Sequence, residues 1–186
     1  ENLSGYPTGV SSLVVERFFD ILTVAVLGLL ALPFVLGVPP WVYPVIVLPL
    51  ALCGVFVLLL LTLGKLRSEN RILAIALSMI NEMRRASLTP GSIAGISSLS
   101  LVIWATDIAT TLSMAAMFRA EISLALAALA VVVGNLFKAV PVTPGGIGTY
   151  EAAVAVILVL SGTAQAAATL IAVSDHLVKN VITAVG

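Results

Sequence analysis

Long apolar runs alternate along this chain with short breaks of proline, glycine and charge. The first run covers about residues 18–37 and closes at Gly37 and the Pro39-Pro40 pair. A second, about 42–64, opens with Trp41 and Tyr43, an aromatic pair suited to a membrane interface, and carries Pro44 and Pro49 near its start. A third covers about 93–117 and ends at Arg119 and Glu121, and a fourth covers 122–140, with Asn135 and Lys138 near its end. The last apolar stretch splits at Ser161-Gly162 into Thr149 to Leu160 and about 164–186. A hydrocarbon core of roughly 30 Å needs about 20 helical residues, so the long runs are expected to span. The piece from Thr149 would reach only about 18 Å, which predicts one half of a re-entrant hairpin or a broken helix. Residues 1–12, with Gly5, Pro7, Gly9 and Ser11, read as a loop or a helix entry.

Residues 65–90 change character. Lys65, Arg67, Arg71, Arg84 and Arg85 outnumber Glu69 and Glu82, while Ile72, Leu73, Ile75, Ala76, Met79, Ile80 and Met83 recur at helical spacing. That pattern predicts an amphipathic helix at the membrane surface, and the excess of positive charge assigns it to the cytoplasmic side. If every run crosses, the N-terminal loop and the stretch at 141–148 share that side.

Composition strengthens the membrane reading: 60% of residues are hydrophobic and 10% charged, against roughly 25% charged in an ordinary soluble domain. Mean hydropathy is +1.18. Apolar runs recur throughout, which excludes a secretory signal on a soluble protein. The expected fold is therefore an all-α integral membrane protein, a polytopic helical bundle with a short broken or re-entrant helix after the PGG loop. Nine Lys and Arg balance nine Asp and Glu, so nothing points to nucleic acid. The single cysteine, Cys53, lies in an apolar run and reads as a small buried hydrophobe. No metal-ligand spacing is present, and neither a metal nor another cofactor is expected. The chain starts at Glu1 and ends its last apolar run at Gly186; the expectation is a single transmembrane domain over 1–186 that lacks N-terminal helices.

The stretch PVTPGGIGTYEAAV, residues 141–154, carries the strongest chemical signal. Pro144 suits a first helical turn, and Thr143 before it can cap that turn. Gly145, Gly146 and Gly148 remove side chains where helix-start amides lack partners, so an anion such as a lipid phosphate could sit there, with Lys138 as counter-charge. Glu151 is open to several roles: cap, titrating group, or partner of Lys138 or Arg17. A plain cytoplasmic turn explains the same residues. TPGSIAG at 89–95 echoes TPGGIGT at 143–149, either by chance between two helix starts or as a duplicated half with matching interrupted segments.

Charge at bilayer depth costs about 2.5–3.5 kcal/mol per residue on insertion scales, so polar residues inside the runs face partners or cavities. Asp107, with Trp104 and Thr111 on one face, is either a structural hydrogen-bonding group or part of a polar cavity. Asp175, His176, Lys179 and Asn180 cluster in the last run, where Asp175 and Lys179 stand four apart and can neutralise each other. His176 is read as a satisfied packing residue before a proton carrier. Glu16, Arg17 and Asp20 occupy one helical turn, as an interfacial ion cluster or as an anchor for a head group.

PVTPGGIGTYEAAVAVILVLSG together with VVERFFDILTV at 14–24 resembles the membrane region of lysylphosphatidylglycerol synthases, a flippase-like family that includes stand-alone bacterial and archaeal proteins. The shared pattern falls on Pro141, Pro144, Gly145, Gly146, Ile147, Gly148 and Glu151, and on Glu16, Arg17 and Asp20; relatives often carry arginine where this chain has His176. The resemblance implies a helical membrane domain, without the soluble transferase, that moves modified phospholipids or polyprenyl-linked glycans between leaflets of the cell membrane. Its expected head-group site is Arg17, Lys138, Thr143, Gly145, Gly146 and Glu151, with the phosphate on the amides of Gly145 and Gly146. A gating or polar-cavity set follows: Glu16, Asp20, Asp107, Asp175, His176 and Lys179. Membrane lipids are the expected partners, with a lipid-modifying enzyme and a homo-oligomer left open. Two alternatives stand beside this: a scaffold that docks a lipid-modifying enzyme through 68–86, and an ion-coupled small-solute transporter using the TPG repeat and Asp107.

Overall fold

A computed structural model describes residues 6–63, 77–81, 83–85, 89–140 and 142–185, with side chains from residue 13 onward. Every regular element among them is helical: α1 (Tyr6–Ala31), α2 (Val42–Leu63), α3 (Pro90–Met117), α4 (Leu124–Lys138), α5 (Thr149–Leu160) and α6 (Gln165–Val185), with tight 3-10 turns at Leu32–Phe34 and Pro144–Gly146. Helices α2, α3 and α6 are long and apolar enough to cross a membrane. The protein is thus a multi-pass helical membrane protein.

Helix α1 begins at Tyr6, so of the two readings of residues 1–12, loop or helix entry, the second holds from there; Pro7 falls in the first turn, where a missing N–H costs nothing. One sequence expectation changes. The fourth run holds a helix of 15 residues only, about 22 Å long and short of a full crossing. Ser123 accepts the Leu126 N–H at 3.1 Å and so starts α4 late, and the chain turns off after Lys138. Counting every run as a crossing therefore fails, and with it the argument that puts the N-terminal stretch and residues 141–148 on one side. Most of the basic segment 65–90 lies outside the described residues.

By spatial clustering the chain forms two compact units, Glu1–Thr23 with Pro49–Leu101, and Val24–Leu48 with Val102–Gly186. In the first, Val15, Phe18, Phe19, Cys53, Leu60 and Met83 form a buried apolar cluster with Phe56, Val57 and Ile80 packed on it. Phe18 lies 5.0 Å from Phe56 between ring centres. Cys53 is buried and free, as a small hydrophobe would be.

Helix α4 forms the middle of the second unit. Its sequence LALAALAVVVG is apolar on every face, and Leu126 to Gly134 are all buried, as expected of a helix surrounded by others. Small residues set the approach distances. A Cβ on Gly28 of α1 would lie 2.7 Å from Val132 of α4 and 3.1 Å from Ile46 of α2. A Cβ on Gly134 would lie 2.6 Å from Val154 and 2.9 Å from Tyr150. Lys138 meets Gly146 while Gly134, one turn earlier, meets Val154, so α4 and α5 run antiparallel. Helix α5 ends in a Schellman turn, with the Thr163 N–H on the Leu158 carbonyl, the Gly162 N–H on that of Val159, and Gly162 at φ +99°. That reversal brings α6 back along α5. Helix α3 ends the same way, with Arg119 in the left-handed position at φ +55° and the Ala120 N–H on the Ala115 carbonyl.

Candidate functional site

The start of α5 is built by backbone that only glycine accepts at low cost. Gly146 has φ +73° and a Cβ there would sit 2.5 Å from the Lys138 Cγ, so the lysine stem lies directly on the glycine. Gly148, at φ +87°, is the residue before the first turn of α5. Its N–H donates to Glu151 Oε2 at 2.7 Å. This is one half of a capping box; glycine has no side chain to return the other half.

Two expectations about this loop are corrected. The Thr143 hydroxyl caps nothing; it is buried and has no hydrogen-bond partner among the described residues, because Pro144 to Gly146 close into a 3-10 turn and α5 starts only at Thr149. The Gly146 amide is not open to an anion either, since it donates to the Thr143 carbonyl at 3.1 Å. The partner echo at Thr89 behaves differently: its hydroxyl accepts the Ser92 N–H at 3.3 Å and caps α3 directly. With positive φ at residues 145 and 146 the second copy cannot do this, so the two TPG segments share letters and not local structure.

Among the described residues Glu151 does not pair with Lys138. Its Oε1 lies 2.7 Å from Nδ1 of His176 on α6. Partial burial would raise the Glu151 carboxyl, but the hydrogen bonds from His176 and from the backbone N–H groups outweigh it and hold the group below its ordinary value. A carboxylate accepting through both oxygens requires Nδ1 to carry the hydrogen. His176 is buried, its ring is 4.6 Å from that of Tyr150, and its Nε2 has no partner among the described residues.

Beside this pair, four helices converge on a buried polar cluster. Asp175 of α6 is fully buried. It accepts from Tyr150 Oη of α5 at 2.6 Å, from Thr111 Oγ1 of α3 at 2.8 Å and from Lys179 Nζ at 2.7 Å. Lys179 also reaches Asp107 of α3 at 3.1 Å and donates to Tyr150 Oη at 2.9 Å. Asp107 in turn accepts from Asn135 Nδ2 of α4 at 3.2 Å. Burial, then the neighbouring Asp175 carboxylate, pushes the Tyr150 phenol far upward, so it acts as a neutral donor. One lysine thus holds two acids, and a hydroxyl or amide fills each remaining oxygen.

The structure gathers Asp107, Asp175, His176, Lys179 and Glu151 at one end of the second unit, with Lys138 next to them: its Nζ is 6.0 Å from the Tyr150 ring centre and makes no ion pair among the described residues. Gly145 stands open, with nothing within 4 Å of a Cβ. Glu16, Arg17 and Asp20 belong to the first unit, where Arg17 meets Asp20 at 3.7 Å, largely exposed. Sequence reasoning passed over Tyr150, which touches both groups of the site. A tyrosine in the first turn of an apolar helix, beside an acid, carries the signal: when buried, its hydroxyl needs a partner.

Comparison with known proteins adds the lineage. A glycosyltransferase, AglD of Haloferax volcanii, is 40% identical over 92 residues, covering 47% of this chain and 15% of that protein. The chain therefore spans only a small part of that relative. No solved structure matches it. The model of the lysylphosphatidylglycerol synthase TM region matches residues 3–186, and the chain belongs to this family.

Proposed function

We propose that this domain binds the anionic head groups of phospholipids or lipid-linked compounds and moves them between leaflets. Its family and a relative named as a glycosyltransferase both support a role connected with membrane lipids. One observation carries the finer reading. Next to Gly146, the Lys138 amine has no acid partner among the described residues, and the Thr143 hydroxyl is buried without a partner. A cation and an orphan hydroxyl flanking a bare glycine turn suit a phosphate oxygen. The half-length helices α4 and α5 form the hairpin that would carry this turn to membrane depth, where irregular backbone is tolerated only against protein or a wet cavity. In this reading the protein is not itself a transferase, it resides in the cell membrane, and residues 65–90 face the cytoplasm.

The test is translocation of a fluorescent phosphatidylglycerol in proteoliposomes, read by quenching of the outer leaflet. Lys138→Ala is expected to slow transfer about tenfold, the loss of one charge-assisted hydrogen bond, and Gly146→Leu to abolish it. Transfer no faster than in protein-free vesicles would overturn the reading and leave a scaffold for a lipid-modifying enzyme as the function to test next.

A further inference from the structure

Nε2 of His176, the only histidine of the chain, is a buried nitrogen with no partner among the described residues. With Nδ1, 2.7 Å from Glu151 Oε1, assigned as the donor to an ionised carboxylate, Nε2 is a bare acceptor while the ring is neutral. A proton arriving there creates a buried N–H that requires an acceptor of its own. The charged and titratable neighbours do not provide one. On α5, Glu151 is committed to Nδ1 and to the Gly148 amide, and Tyr150 gives its hydroxyl to Asp175. On α6, Asp175 is held by Thr111, Tyr150 and Lys179. On α3, Asp107 is held by Lys179 and Asn135. Lys138 on α4 and Lys179 are donors only. A ligand can supply that acceptor.

We propose that His176 Nε2 takes up a proton together with a phosphate oxygen of a lipid head group, so that proton and anion enter as a neutral pair. The proposal rests on the lipid-binding reading above and adds its coupling ion. The proton comes from water and bonds to Nε2; the Nδ1–H bond to Glu151 is kept; no other bond is made or broken. A phosphodiester carries one negative charge, and adding one proton cancels it, which removes most of the cost of holding the head group among apolar helices.

The test uses the full chain in a maltoside detergent, which contains no phosphate, with short-chain phosphatidylglycerol as one probe and inorganic phosphate as the other. Affinity is measured at about pH 6 and about pH 8, either side of the imidazole range, and the single imidazole is followed by 15N-histidine NMR. Phosphatidylglycerol is expected to bind about tenfold tighter at the lower pH, within the usual size of a coupling between two ligands. By the reciprocity of linkage, adding it at fixed pH raises the doubly protonated imidazole signal, and His176→Gln brings the ratio of affinities to one. Equal affinity at both values with an unresponsive imidazole overturns the proposal while the lipid reading stands. Absence of binding at either pH overturns both. An equal imidazole response to inorganic phosphate overturns the assignment to lipid. Should His176→Gln fail to fold, the NMR response of the unmodified protein decides alone.

Discussion

Two clusters of acid and base residues, each built from carboxylates and one long cation, meet different fates in this protein. In α1, Arg17 reaches Asp20 at 3.7 Å with the arginine side chain 74% exposed. In the second unit, Lys179 reaches Asp175 at 2.7 Å with the aspartate side chain 0% exposed. The first is a single turn of one helix. The second takes residues from α3, α4, α5 and α6, and every oxygen of its two aspartates has a donor. Exposed pairs contribute about 0–1 kcal/mol, whereas removing one member of a buried pair strands its partner and costs about 3–5 kcal/mol. The difference shows that which charges hold the fold, and which are free to act, follows from burial and not from residue type.

Removing Lys179 should therefore have the largest effect. Lys179→Met leaves Asp107 and Asp175 without a cation and is expected to lower unfolding stability by about 3–5 kcal/mol, measured by thermal unfolding in detergent through Trp41 and Trp104 fluorescence. Asp175→Asn added to it should recover part of the loss; no recovery would mean that lysine packing, not charge, is what matters.

Gly134→Leu attacks the same cluster through packing. The added atoms meet Val154 and Tyr150 at under 3 Å, so α5 has to move, at about 1–3 kcal/mol or more. If the Glu151–His176 contact depends on this packing, the histidine NMR signal of the variant will shift; an unchanged signal would detach the pair from the hairpin.

Tyr150→Phe is expected to cost about 1–3 kcal/mol, because it takes a donor from buried Asp175 and an acceptor from Lys179. A neutral outcome in the same unfolding assay would show that water replaces the hydroxyl. Arg17→Ala should change stability by less than about 1 kcal/mol. A loss as large as that of Lys179→Met would erase the contrast between the clusters.

Much was legible before any coordinates. Membrane character follows from the apolar runs, and the short helix Thr149–Leu160 with its break at Ser161-Gly162 reads directly from a run that is too brief to span and ends on glycine. The pairing of Asp175 with Lys179 is legible too, since residues four apart on a helix share a face. Local signals decide all of these within one or two turns. The shortness of α4 was hidden, because its flanks are as apolar as the helix and only the Ser123 cap marks its start.

Other features were out of reach of local patterns. TPG at 89 and at 143 predict the same cap, yet only the first makes it, because Gly145 and Gly146 take positive φ and close the second copy into a 3-10 turn, with the Lys138 stem against Gly146. Glu151 could be assigned a cap from its place in the first turn, but its partner His176 is 25 residues away, brought back by the α5–α6 reversal. The partners of the Tyr150 hydroxyl, Asp175 and Lys179, lie 25 and 29 residues away on α6. The sequence by itself determined the solvent of this protein and the extent of most of its helices, because hydrophobicity and helix-end chemistry act over neighbouring residues. Only tertiary structure decided which charges are neutralised and which nitrogen is left without a partner, because those depend on distances between helices that no single stretch encodes.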